Sequence, residues 1–418
     1  MMTSSRRAYV WIWLPGQISP VAAGLVERDD QNHYRFTYGR RYLARPDAIS
    51  LFTDELPLRP GSQEQADGVL PSCLRDASPD AWGRRVIINR LTGQRGEAAH
   101  GIDFNELVYL LESGSDRIGA LDFQQSPTDY RPRESQTATL DELQEASTYV
   151  EEGRPLPPAL DQAIQHGSSI GGARPKALLD DRDRKLIAKF SSSTDLYGVV
   201  KAEFVAMRLA RQAGLDVAPV EMARSLGKDI LLVERFDRVK AVDGWGRRIV
   251  LSALTLLGLD EMMARYASYE DLAHRIRAEF DQPGQTLREL FGRIVFNVLC
   301  GNTDDHARNH AAFWDGVSYR LTPAYDICPQ SRTGGEATQA MLLHDQERRS
   351  QLIHCLAASE RLGLSRSQAR EIINYQIATI HDHWGTVCDE AGLSQVDRNF
   401  LWGRQFLNPF ALEGYTEA

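Results

Sequence analysis

The chain has 418 residues, 42% of them hydrophobic and 25% charged, the make-up of an ordinary globular protein too long for one compact core. Its 48 basic and 57 acidic residues leave a formal charge of −9, which excludes a surface built throughout to grip nucleic acid while leaving room for local basic patches. Five scattered cysteines (Cys73, Cys300, Cys328, Cys355, Cys388) without a CxxC pair argue against a disulfide framework or zinc site. With no signal-like or membrane-length apolar run, a cytoplasmic protein without a membrane partner is expected.

In chain order, Tyr9-Val10-Trp11-Ile12-Trp13-Leu14 predicts a buried strand that ends at the Pro15-Gly16 turn. Residues 24–28 and 33–38 continue as strands, the second alternating in period two. Ser78-Pro79-Asp80 predicts a helix start, with Ser78 as N-cap, Pro79 first in the helix and residues 81–91 following. A short helix over 103–112 and a strand over 118–123 complete a small α+β unit, and the polar stretch 124–136 marks its boundary. Thr139 with Glu142 makes a capping box for the next helix.

Ser168-Ser169-Ile170-Gly171-Gly172-Ala173-Arg174-Pro175-Lys176 follows. Its paired glycines let backbone N–H groups approach a phosphate, although such a run also serves as a plain turn. It leads into two strands, 177–179 and 186–190, with Lys189 inside the second. A lysine among apolar strand neighbours needs a partner such as a phosphate, unless it lies on the solvent face of an edge strand. Residues 199–213 predict a helix closed by Gly214, with Glu203 placed either to pair with the strand lysine or to face solvent. Residues 229–234 read as a buried strand leaving through Arg235-Phe236-Asp237-Arg238, which is either a nucleotide-framing hinge or a central strand with a charged exit.

From Ser268 onward helices dominate. Leu287, Leu290, Phe291, Ile294, Val298 and Leu299 share one face of a core helix over 286–300, which delivers Gly301-Asn302-Thr303-Asp304-Asp305-His306-Ala307-Arg308-Asn309-His310. Residues 313–321 predict a hairpin turning at Asp315-Gly316, and Leu321-Thr322-Pro323-Ala324-Tyr325-Asp326 follows. Ser365 with Gln368 caps a helix reaching about residue 381. An Asp, an Asn five residues later and a second Asp after a hairpin is the order a phosphotransferase needs. The first acid orients or deprotonates a hydroxyl, while the Asn and second Asp hold Mg²⁺ on a nucleotide. A metallohydrolase is the rival, since His306 and His310 are four apart beside Asp304 and Asp305, but no HExxH glutamate accompanies them.

Several motifs together resemble the HipA family, serine/threonine-kinase toxins of bacterial type II toxin–antitoxin systems. They are the Asp304 and Asp326 stretches, the loop over 169–176, and Val233-Glu234-Arg235-Phe236-Asp237-Arg238. Pro79-Asp80-Ala81-Trp82-Gly83-Arg84-Arg85 and the early strands are similar to that family's N-terminal part. The resemblance implies an α+β, two-lobed protein-kinase-like fold with a small N-terminal α/β subdomain and an all-helical C-terminal lobe. Expected divisions are 1–125, the N-terminal subdomain; 126–245, with phosphate loop and hinge; and 246–418, with the catalytic and metal-binding loops.

The same resemblance implies Asp304 as the catalytic residue and Asn309 and Asp326 as Mg²⁺ ligands. It puts His306, Ala307, Arg308, Asn309, Tyr325 and Asp326 against ATP. Lys189 goes to the phosphates, Glu234, Arg235 and Phe236 to the adenine, and Gly171, Gly172, Ala173, Arg174, Pro175 and Lys176 to the phosphate loop. Ser169 matches an autophosphorylated loop serine, with Ser168 a second candidate; roughly two added charges in that loop would repel ATP. Implied partners are a helix-turn-helix antitoxin, operator DNA mainly through that antitoxin, and a protein substrate of the aminoacyl-tRNA-synthetase class. A catalytically quiet corepressor is the alternative. Two departures stand out: Asp305 replaces a small residue and is expected to perturb local charge or metal affinity, and Arg174-Pro175 replaces a Gln-containing pair.

Overall fold

A computed structural model describes residues 5–92, 103–133, 138–152, 154, 156–157, 159–160, 174–181, 183–192, 195, 197–332 and 334–416. The chain divides into two compact units. One comprises Met1–Ser192, Arg224–Leu251 and Trp314–Val317; the other comprises Ser193–Ala223, Ser252–Phe313 and Ser318–Ala418.

The first unit opens with a five-stranded antiparallel sheet in the order Ser62–Glu64, Tyr34–Tyr38, Val21–Arg28, Arg7–Ile12 and Leu121–Gln124. Tyr34, Phe36 and Tyr38 face the core while Arg35 faces out, as their alternation requires. The helix after Ser78 begins later than its sequence signal suggests, at Ala81–Thr92. Ser78 donates its hydroxyl to Glu106 (3.0 Å) instead of capping, and the first-turn bond runs from Arg84 N to Asp80 O at 2.8 Å. Glu106–Glu112 is capped by Asn105, and the Thr139–Glu142 box opens Leu140–Glu151. Strands Lys176–Asp181, Arg184–Phe190 and Lys228–Glu234 then form an antiparallel ladder.

A buried ionic cluster ties this ladder's exit to the first sheet. Asp237 accepts from Arg235 at 2.9 Å, from Arg238 at 2.8 Å and from the Gly119 N–H at 2.7 Å. Arg117 and Arg133 both pair with Asp122, at 3.0 and 2.8 Å. Fully desolvated charges survive only with such complete pairing.

The second unit is mostly helical. Its axis is Pro283–Cys300, which starts with proline in the first turn and buries Leu290, Phe291, Val295, Phe296, Val298, Leu299 and Cys300. Val199–Gln212, Tyr269–Glu279 and Leu352–Ala358 belong to the same unit, as does Arg366–Glu390. The last opens on the Ser365–Gln368 capping box and runs well past residue 381, since Val387 and Cys388 extend its buried face. Strands Ala311–Trp314 and Tyr319–Leu321 form the short hairpin. Among the described residues no helix is long and apolar enough to cross a membrane.

Candidate active site

The candidate catalytic loop owes its position to the end of the core helix. Gly301 terminates it in the left-handed region (φ 70°), and a Cβ at that point would lie 2.8 Å from the Gln405 carbonyl oxygen. Only glycine fits both the backbone angle and the space. Asn302 then ties back to Asn297 through its N–H (2.9 Å) and its side-chain amide (3.0 Å).

The loop closes on the Asp304 carbonyl. That oxygen accepts the His306 N–H at 2.8 Å and the Asn309 side-chain amide at 3.1 Å, and a short 3-10 turn, Ala307–Asn309, completes the bend. The five-residue spacing of Asp304 and Asn309 is thus a closed loop, with the Asn309 side chain bonded to the Asp304 main chain. Tyr325 donates its hydroxyl to the Arg308 carbonyl at 2.6 Å, bringing the second motif against the first. Its approach is fixed by Ala324, whose N–H donates to Asp216 O (2.7 Å) and whose carbonyl accepts from Ala218 N (2.9 Å). Asp326 itself sits in the left-handed region at φ 59°, a conformation that costs a non-glycine residue about 1 kcal/mol or more.

The electrostatics single out Asp304. Its carboxyl is held above the ordinary range chiefly by lost solvation, against the pull of His306, with further upward pushes from Asp326 and Asp305. Nearby acids that raise one another in this way favour a shared proton or a cation.

Asp305 is the neighbour in sequence but not in role. Asp304 keeps part of its surface open to solvent, whereas Asp305 is 2% exposed and turned into the core. Its Oδ2 accepts from the Tyr269 hydroxyl and pairs with His310 Nε2 at 2.9 Å. Burial disfavours its ionisation, yet His310 and Tyr269 outweigh that and hold its pKa below the usual range. The expected disturbance from Asp305 therefore reaches Asp304 only as a minor repulsion. Tyr269 carries no sequence signal of this role.

His310 is buried on Asp305, and His306 presents a buried Nδ1 without a hydrogen-bond partner. Arg308 pairs with Glu261, and Ala307 is buried. Among the described residues, the group whose metal-binding atoms all come within 4.8 Å is Glu270, His344 and Asp345, not the Asp304–His310 loop. Arg361 lies within salt-bridge distance of both Glu270 and Asp345 there, so that cluster is already offset by a cation.

The first unit carries the remaining candidates. Lys176 and Lys189 stand directly opposite each other in the ladder. Lys189 is half-buried and Lys176 buried, and the Lys176 carbonyl accepts from Trp82 Nε1 at 3.1 Å. Arg174 is half-buried and Pro175 buried. Glu234 pairs in register with Leu186, and the Arg235 N–H donates to Lys185 O at 2.9 Å. The Arg235 guanidinium is turned into the cluster with Asp237 and Asp116, while Glu234 and Phe236 are half-buried. Ser168, Ser169, Gly171, Gly172 and Ala173 lie outside the described residues.

Comparison with known proteins places this geometry in a family. The HipA N-terminal domain model matches residues 12–124 and the HipA-like C-terminal domain model residues 168–384. A Sinorhizobium fredii protein bearing the name "Putative kinase Y4mE" is 30% identical over 342 residues, 76% of each chain. The serine/threonine-protein kinase toxin HipA of Shewanella oneidensis is 25% identical over 183 residues, covering 38% of this chain and 42% of that one. The fold also matches a solved complex of Shewanella oneidensis HipA, HipB and operator DNA, with a TM-score of 0.72, 20% identity and 95% of each chain covered. With both domain models matched in order, the chain belongs to the HipA family.

Proposed function

We propose that this chain is an ATP- and Mg²⁺-dependent protein serine/threonine kinase that acts as the toxin of a type II toxin–antitoxin system. Carrying the reading is the loop in which Asn309 is bonded to the carbonyl of Asp304, whose carboxyl is raised chiefly by lost solvation and further by the Asp326 charge. A hydroxyl-orienting acid beside an amide and a second acid is the donor set that phosphoryl transfer uses. The residues fit a cation on physical grounds, because the Asp304–Asp326 repulsion is relieved by positive charge. Asn309 and Asp326 would hold that Mg²⁺, which when bound neutralises charge on the nucleotide phosphates.

The proposed work of the chain's own residues follows. Asp304 orients the acceptor hydroxyl and takes its proton. Lys189, with Lys176 opposite it in the ladder, holds phosphate oxygens. Gly171, Gly172, Ala173, Arg174 and Pro175 serve as the phosphate loop, and Ser169 as the autophosphorylated residue. Glu234 and Phe236 frame the adenine, with Arg235 contributing only main chain because its side chain is committed to Asp237. His306, Ala307, Arg308 and Tyr325 line the nucleotide.

The partners proposed are a helix-turn-helix antitoxin and, through it, operator DNA; the matched fold was solved in a complex of HipA, HipB and operator DNA. A translation-related protein is the proposed substrate. Asp304→Asn and Asp326→Asn are each expected to cut phosphate transfer from Mg·ATP by at least about a thousandfold. Undiminished transfer by either variant would remove it from the site. A chain that binds antitoxin and DNA but not Mg·ATP would instead be the quiet corepressor.

A further inference from the structure

The core behind the catalytic loop holds a set of polar groups that the proposed chemistry does not use. Tyr269 is fully buried, and Asp305 and His310 are each 2% exposed. Tyr269 comes from the helix Tyr269–Glu279, whose start is fixed by Ser268 accepting from the N–H groups of Glu270 and Asp271. Its hydroxyl and His310 Nε2 converge on one oxygen of Asp305, and the Tyr269 and His310 rings meet edge to face at 5.6 Å and 88°. His310 is further anchored by its carbonyl, which accepts from Ala253 N at 2.7 Å.

Burying an acid, an imidazole and a phenol together costs solvation that three apolar side chains would not lose. What the set provides is geometry. The Asp305–His310 contact spans the loop from the residue after Asp304 to the residue after Asn309. Those two links fix where Asp304 and Asn309 point, because each is one peptide from an anchored side chain. His310 meets Asp305 through Nε2, which fixes the ring's orientation, and its other nitrogen, Nδ1, has no hydrogen-bond partner.

We propose that Tyr269, Asp305 and His310 are positioning residues that hold the Asp304–Asn309 loop in its transfer-competent shape. They touch neither nucleotide nor acceptor. The inference rests on the kinase reading given above, since it needs Asp304 and Asn309 to be the working groups. It accounts for two adjacent aspartates facing opposite ways: one serves the reaction and the other the loop.

The test follows the initial rate of γ-phosphate loss from Mg·ATP by the full-length chain. Its variants are Tyr269→Phe, Asp305→Asn, His310→Gln and His310→Leu, with Asp304→Asn as the reference. Tyr269→Phe removes one hydroxyl and preserves packing, so it should unfold near the wild-type temperature. Its kcat should fall about tenfold to a hundredfold with KM for Mg·ATP within about threefold, the pattern of a misaligned group with intact binding. His310→Gln keeps an N–H donor near Nε2 and should retain activity that His310→Leu loses. Tyr269→Phe combined with Asp305→Asn should lose less than the product of the two single losses, because both disturb one network.

An unchanged kcat in a normally folded Tyr269→Phe protein would overturn the proposal, as would equal activities of His310→Gln and His310→Leu. A wild-type chain that leaves Mg·ATP intact would overturn the kinase reading itself, and the positioning role with it. Activity lost in Asp304→Asn but kept in Tyr269→Phe would overturn the positioning role alone.

Discussion

At the scale of single residues, burial and pairing decide which of several similar side chains do chemistry. Asp304 and Asp305 are indistinguishable by type and position, yet one is exposed and the other carries two buried hydrogen bonds. Arg235 gives the same lesson. From sequence it belongs with the adenine-framing stretch, but its guanidinium is committed to Asp237 and Asp116. Replacing Asp237 by Asn would leave Arg235 and Arg238 short of a buried counter-charge and should destabilise the chain by about 3–5 kcal/mol at pH 7. Burial resists ionisation of Asp237, but Arg235 and Arg238 prevail and lower its folded pKa. Its contribution is therefore fully present above the unfolded value of about 3.9 and is lost as pH falls from there through the folded value. Urea unfolding of wild type and Asp237→Asn from pH 7 to pH 3 should show a gap that holds to about pH 4 and narrows below it. A gap that is constant through pH 3 would mean that the cluster is not held by charge.

These residues also mark where sequence reading runs out. The Asp304–Asn309 spacing, Asp326 and Lys189 stand out because their types and order match the donor set that phosphoryl transfer uses. The partners of Arg235 and Asp305 do not. Asp116 lies more than a hundred residues before Arg235, and Tyr269 is 36 residues from Asp305, with no local pattern linking either pair. Only the fold brings them together.

At the scale of elements, local rules read well wherever a short motif fixes a terminus. Both capping boxes, Thr139 with Glu142 and Ser365 with Gln368, form as their spacing requires. The helix predicted to start from Ser78 begins later, at Ala81, and the Ser78 hydroxyl donates to Glu106 instead of capping it. The glycine ending the core helix matters most for the site. Gly301→Ala would place a Cβ against the Gln405 carbonyl in a left-handed conformation. It should cost about 2 kcal/mol or more and displace the following loop, so kcat should drop further than thermal stability alone explains. An alanine variant with wild-type stability and turnover would show that the loop is not set by this helix end.

At the scale of the whole molecule, the candidate residues are shared between two units that the chain enters more than once. The first, with Lys176, Lys189 and Glu234, includes residues from three separate segments, as does the second, with Asp304, Asn309 and Asp326. A linear division of the sequence does not express that arrangement, because each unit recruits stretches distant in the chain. Mg·ATP should stabilise the folded chain by about 2.7 kcal/mol at a hundred times its Kd, seen as a raised unfolding temperature. Mutating Lys189 to Ala and Asp326 to Asn should each reduce that shift. A shift that survives both changes would place the nucleotide elsewhere.

The central claim is phosphate transfer from ATP by a centre built on Asp304, and labelled nucleotide tests it most directly. The purified chain is incubated with γ-labelled ATP and a bacterial extract, with Mg²⁺ or with chelator, and label on protein serine and threonine is measured. The account predicts Mg²⁺-dependent labelling by the wild type and none above background by Asp304→Asn at matched folding. Labelling of equal extent by Asp304→Asn would contradict it.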